Sequence, residues 1–125
     1  IQQTDNLDNN QLEKTPCVGN GEIKDDLPIK LSYNNNHIKR LESFCYHKRN
    51  ENSRLKYLYF RNNSIAIIEK NAFIYLNNLI ELDLSINKLS NLDDDVFSDL
   101  KSLIHLNLSS NQLSVINNRI FNSME

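Results

Sequence analysis

Residues Leu79 to Ser102 set a pattern that decides what this chain can become. They read L-x-x-L-x-L-x-x-N-x-L-x-x-L, followed by a phenylalanine and one more leucine, and the pattern returns on a shift of 24 residues in either direction. Upstream it occupies Leu55 to Asn78, and downstream Leu103 to Glu125. Separate columns agree at one spacing: Leu55, Leu79 and Leu103; Leu58, Leu82 and Leu106; Phe60, Leu84 and Leu108; Ile65, Leu89 and Leu113; Ile68, Leu92 and Ile116. Asparagine recurs at Asn63, Asn87 and Asn111, and phenylalanine at Phe73, Phe97 and Phe121, with Leu76, Leu100 and Met124 after it. Such a period marks a repeat architecture, in which each unit is too small to bury its own apolar side chains and must stack on neighbours.

One unit can be read directly. Leu82 and Leu84 alternate with Asp83, which is strand periodicity with one face buried. Leu79, Leu89 and Leu92 point inward from the flanking turns, so the short strands align as a parallel sheet. Asn87 falls where the strand turns away. Its amide both donates and accepts, so a column of such residues can satisfy backbone groups that turn into the core. The phenylalanines form a spine in the layer opposite the sheet. All of these residues are core or ladder rather than ligands.

These columns resemble the leucine-rich repeat family, in its 24-residue form typical of extracellular proteins. The resemblance covers roughly residues 28–125. It implies an α/β repeat-class fold: a solenoid with a parallel sheet on the concave face, irregular or 3-10 turns on the convex face, and an N-terminal cap. Within the family the chain looks most like the N-terminal part of a Toll-like receptor ectodomain, or a secreted insect immune leucine-rich-repeat protein.

Four repeats follow from the register: 28–54, 55–78, 79–102 and an incomplete 103–125. The first is atypical. Asn36 fixes its frame, Leu31 and Tyr33 take the strand positions, and Ile38 and Leu41 the turn positions. Three extra residues fall near Cys45 to Arg54, and Phe44 or Tyr46 stands in for the spine phenylalanine. Residues 1–14 are polar, with only Ile1, Leu7 and Leu12 apolar, which reads as a flexible leader. Residues 15–27 contain Pro16 and the turn Gly19-Asn20-Gly21. They sit where family members carry a cysteine-bearing cap. The core edge at Leu103, Leu106, Leu108 and Leu113 has no cap after it, so a longer array is expected.

The two cysteines, Cys17 and Cys45, then fall in the cap and beside it on the first coil. The resemblance implies a disulfide that staples cap to repeats, worth about 3 kcal/mol in a chain-entropy model, and hence an oxidising compartment. The alternative is two buried thiols. Asn62 and Asn107 open N-x-S sequons and are candidate glycosylation sites. Asparagine totals 21 residues, more than the ladder requires.

Functional chemistry has to lie on strand residues that point away from the core. The first coil offers Ile29, Lys30, Ser32, Asn34 and Asn35. The second offers Lys56, Tyr57, Tyr59, Arg61 and Asn62. The third offers Ile80, Glu81, Asp83, Ser85 and Ile86, and the fourth Ile104, His105, Asn107, Ser109 and Ser110. The candidate ligand-binding residues are Lys30, Lys56, Tyr57, Tyr59, Arg61, Glu81, Asp83, His105 and Asn107. Exposed aromatics beside arginine are over-represented among interface hot spots. The competing reading is that Tyr57 and Tyr59 simply stack on, and hydrogen-bond to, Glu81 and Asp83.

Glu81, Asp83 and His105 could meet as an acid–base or metal set. The face is open, however, and the chain has neither a nucleophile elbow nor a glycine-rich phosphate loop, so no enzyme, metal or cofactor is expected. Asp93-Asp94-Asp95 lacks calcium-loop spacing, and His37 and His47 lack partners at ligand spacing. A net charge of −2 gives no basic excess for nucleic acid, and no apolar run is long enough to span a membrane. The expected function is extracellular, secreted or cell-surface recognition of a protein ligand or co-receptor, compatible with homo- or heterodimers. The alternative is a structural, adhesion or matrix protein built on the same repeats.

Overall fold

The alternation around Leu58 and Leu82 becomes strand in a computed structural model, which describes residues 4–15, 29–42 and 54–113. Cys17, Cys45, Phe44, Tyr46, His47, Ile116, Phe121 and Met124 lie outside the described residues, as does the cap at 15–27 apart from Thr15. Five three-residue strands pair in parallel in the order β1 (Thr4–Asn6), β2 (Lys30–Ser32), β4 (Tyr57–Tyr59), β6 (Glu81–Asp83) and β7 (His105–Asn107). Their register sets Leu31, Leu58, Leu82 and Leu106 side by side. The described residues contain no helix, and the parallel sheet fits a repeat fold.

β2, β4 and β6 bury their middle residues, and β7 half-buries Leu106. Leu58 and Leu82 are fully buried while their neighbours Tyr57, Tyr59, Glu81 and Asp83 are only half-buried. Behind them lie the remaining columns: Tyr33, Phe60 and Leu84; Ile38, Ile65 and Leu89; Leu41 and Ile68; Leu76 and Leu100. Full burial of one such side chain contributes about 1.5–3 kcal/mol. Aromatic rings continue the stacking between units. Tyr33 lies on Phe60 at 5.4 Å and Phe73 on Phe97 at 6.0 Å. The residues leading into β6 and β7 turn by successive i to i+3 backbone bonds, among them Ala72 N to Glu69 O at 3.0 Å and Leu100 N to Phe97 O at 3.1 Å.

The asparagine column closes the strand ends. Asn87 Nδ2 donates to Leu84 O in its own unit and to Phe60 O in the preceding one, both at 3.0 Å. Its Oδ1 accepts from Ile65 N at 3.0 Å. Asn36, Asn63 and Asn111 repeat this arrangement. Just before each ladder residue the backbone enters the left-handed region, at Asn35, Asn62, Ile86 and Ser110, with φ between 54° and 59°.

Two features depart from the sequence reading. Sequence alone sets residues 1–14 apart as a leader, whereas the described part of that segment is a unit of the same sheet. β1 pairs with β2, and Leu7 and Leu12 pack on the core. Asn36 Oδ1 accepts from Asn10 N and Leu12 N, and Asn9 has φ 60°, as its counterparts do. Leu7-x-x-Asn10-x-Leu12 therefore matches Tyr33-x-x-Asn36-x-Ile38. The signal was hidden because Asp5 stands where the other units have leucine. The second departure is a two-stranded parallel sheet, β3 (Arg40–Leu41) with β5 (Ile67–Ile68). An ion pair from Arg40 Nη2 to Glu69 Oε1 at 2.8 Å flanks it.

Candidate functional site

The sheet has one face against the core and one open. Strand register brings Lys30, Tyr57, Glu81 and His105 into one row of the open face, and Ser32, Tyr59, Asp83 and Asn107 into the other. Lys56, Arg61, His105 and Asn107 are exposed, while Lys30, Tyr57, Tyr59, Glu81 and Asp83 are half-buried. Two residues that sequence placed on this face are not open. Ser32 is buried, its Oγ donating to Asp8 Oδ1 at 2.6 Å. Ser85 is buried beneath Arg61, whose Nη1 donates to Ser85 Oγ at 3.2 Å.

Tyr59 organises the centre. Its hydroxyl donates to Glu81 Oε2 at 2.8 Å, and Lys30 Nζ stands 5.2 Å from the centre of its ring. Burial pushes the phenol well above its ordinary range, helped by the hydrogen bond to the Glu81 carboxylate and by the negative charge of Glu81. The hydroxyl therefore stays protonated and donating near neutrality. The face charges do not cancel one another: Lys30, Lys56, Arg61, Glu81 and Asp83 make no ion pair with any described residue.

Asp83 and Asn107 have local work. Asp83 Oδ1 accepts from Ser85 N at 2.9 Å, and Asn107 Oδ1 accepts from Ser109 N at 3.0 Å and from Ser109 Oγ at 2.7 Å. Asn6 makes the same bond to Asp8 N at 2.9 Å. These are side-chain-to-backbone turns that steer the chain out of the strand, a role that hydrophobic columns do not reveal. Between β6 and β7 lies an open depression of about 450 Å³ lined by Glu81, Leu82, Asp83, Ile104, His105, Leu106 and Asn107. No group of three or more His, Cys, Asp or Glu side chains suited to a metal ion occurs among the described residues. Of the sequon asparagines, both exposed, Asn62 donates from Nδ2 to Asn35 Oδ1 at 2.9 Å.

With strand register and the asparagine ladder in view, comparison with known families becomes informative. Residues 77–125 match the leucine rich repeat family. No curated protein matches the chain. The leucine-rich repeat match takes in β6, β7, Asn87 and Asn111. The units at 29–42 and 54–76 share its register and ladder bonds with these strands. Leucine-rich repeats are generally protein-interaction modules and typically carry no catalytic activity.

Sequence reasoning places Ile86 on the open face but misses its backbone conformation. It is 38% exposed and sits in the left-handed region at φ 54°, where a β-branched side chain is an outlier. The equivalent residues are Asn9, Asn35, Asn62 and Ser110. The leucine columns give no hint of this conformation. The recurrence of Asn immediately before the ladder residue does.

Proposed function

We propose that the chain is a non-catalytic, extracellular protein-recognition module that binds a protein ligand or co-receptor through the concave face of a solenoidal sheet. The observation that carries this reading is the array of Lys30, Tyr57, Tyr59 and Glu81. Aromatic and charged groups stand half-open on a face whose fold needs only the leucines beneath them. The hydrogen bond from Tyr59 to Glu81 supports the competing structural role for Tyr59, but it also fixes that side chain in place, which lowers the entropy cost of binding. Tyr57 makes no such bond among the described residues and is the freer anchor.

The extracellular and innate-immune setting rests on the resemblance to Toll-like receptor ectodomains and secreted immune repeat proteins. The sequons at Asn62 and Asn107 and the Cys17–Cys45 pair suit it. Intact-mass measurement of native protein after alkylation checks the disulfide: two alkylated thiols would exclude the bridge.

The face itself is tested by capture of a secreted-protein partner on immobilised wild-type chain and on the Tyr57→Ala, Tyr59→Ala double variant. Loss of an anchor pair should weaken capture by at least about 30-fold, the scale of a hot spot, with little change in melting temperature. Equal capture by the variant, or capture lost only along with folding, would sink the proposal.

A further inference from the structure

The charges on the open face are sorted by strand. Lys30 lies in β2, Lys56 and Arg61 flank β4, and Glu81 and Asp83 lie in β6. None of the five makes an ion pair with a described residue. Lys56 and Arg61 are exposed, and Glu81 and Asp83 are half-buried. β4 and β6 are direct neighbours in register, Tyr57 with Glu81 and Tyr59 with Asp83. A cationic strip therefore adjoins an anionic one along a single line, with the two tyrosines beside it. Such a surface is its own complement, because a half-turn about that line lays each strip on the other.

We propose, resting on the reading of this face as a protein-binding surface, that its occupant is a second copy of the same chain. The two copies dock face to face about a twofold axis that runs along the strands between β4 and β6. A closed symmetric dimer needs a patch of this self-complementary kind, in which each contact occurs twice. The axis sets β4 of one copy over β6 of the other. Lys56 then stands beside Glu81 of the second copy, and Arg61 beside its Asp83. Tyr57 and Tyr59 enter the centre, the place that aromatic residues favour in interfaces. Charge excludes the other alignments. An axis across the strands, or one along β4 itself, lays β4 on β4 and sets cations on cations, and opposed like charges suppress such pairings. The patch is small. Four strand spacings by six residues cover roughly 20 Å by 20 Å, about half of the area that each partner gives to a standard interface. The dimer is accordingly weak and reversible, and at low concentration the face stays open to a ligand.

Sedimentation equilibrium of the full chain at about 0.1–1 mM, the range for so small an interface, reads the self-association. Wild-type chain should dimerise, with concentration-dependent amide NMR shifts at Lys56, Tyr57, Tyr59 and Glu81. Glu81→Lys and Lys56→Glu, each alone, should weaken the dimer about 10-fold, since each sets like charges together at two symmetric places. Mixed in equal amounts, the two variants should bind each other within about 2-fold of wild type, because every pair is then opposite in sign. That recovery also requires both variants to be folded. A wild-type chain monomeric at about 1 mM, variants as dimeric as wild type, or a mixture no tighter than either variant alone overturns the dimer. Its failure is separable from failure of the face. Partner capture still sensitive to the Tyr57→Ala, Tyr59→Ala double substitution would leave the face standing with a different occupant, whereas insensitive capture removes the face as well.

Discussion

The asparagine ladder and the tyrosine array both run across the units, through hydrogen bonds between one unit and the next, yet they differ in what those bonds leave behind. Asn63 and Asn87 are buried, and their amides bond to backbone on both sides. Nothing in them remains for a ligand. Tyr59 and Glu81 are half-exposed and bond side chain to side chain, which leaves part of each residue in reach of solvent. A polar column sealed inside the repeat specifies the fold. A similar column on the open side holds chemistry in position without consuming it.

The comparison breaks most visibly if the ladder proves dispensable. Asn87→Ala removes the acceptor for Ile65 N and the donor to Phe60 O and Leu84 O in a buried setting. Phe60 O and Leu84 O keep their bonds from Asn63 and Asn111. Ile65 N is therefore the group left unsatisfied, at about 1–3 kcal/mol, and with the lost bonds a fall of about 2–3 kcal/mol is expected in urea denaturation. Asn111→Ala, half-buried, should cost less. Equal losses would mean that burial does not set the ladder's worth.

A smaller effect of opposite sign is expected at Ile86. An L-residue in the left-handed region carries about 1–2 kcal/mol of strain, and asparagine tolerates that region better. Ile86→Asn should therefore raise stability by about 1 kcal/mol, read from the same denaturation midpoint. A destabilised variant would show that the isoleucine has a packing role despite its exposure.

The smallest effect concerns Tyr59. Its pKa is raised in the folded chain, so the protonated phenol is favoured by folding. That contribution is fully present below the unfolded tyrosine value of about 10 and is lost as pH climbs through the folded value. The wild-type urea midpoint should fall faster above pH 10 than that of Tyr59→Phe, while the two stay within about 1 kcal/mol at pH 7. Parallel pH profiles would remove Tyr59 from the account.

Much of this molecule is legible in its leucine columns. They report burial, and burial fixes strand register, so Lys30, Tyr57, Glu81 and His105 can be aligned from spacing alone. What escapes the columns is held together by backbone. β1 pairs through main-chain groups although Asp5 occupies the leucine position, and β3 pairs with β5 over two residues each, too short to alternate. The turns made by Asp83 and Asn107 escape for a related reason: a short polar side chain bonding to its own loop leaves no periodic trace. The abundance of asparagine becomes clearer as well. Asn9-Asn10, Asn35-Asn36 and Asn62-Asn63 each pair a left-handed residue with the residue at the ladder position.

That left-handed step has a consequence for how such a chain can change its length. Equivalent residues in neighbouring units lie 26 apart for Asn10 and Asn36, 27 for Asn35 and Asn62 and 24 for Arg61 and Ser85. The bend and the ladder nevertheless recur at every unit. Extra residues are therefore absorbed in the stretch between one bend and the next, and the bend works as a splice point. A cassette running from one left-handed residue to the next could be cut out or duplicated, and the strands on either side would still meet in frame.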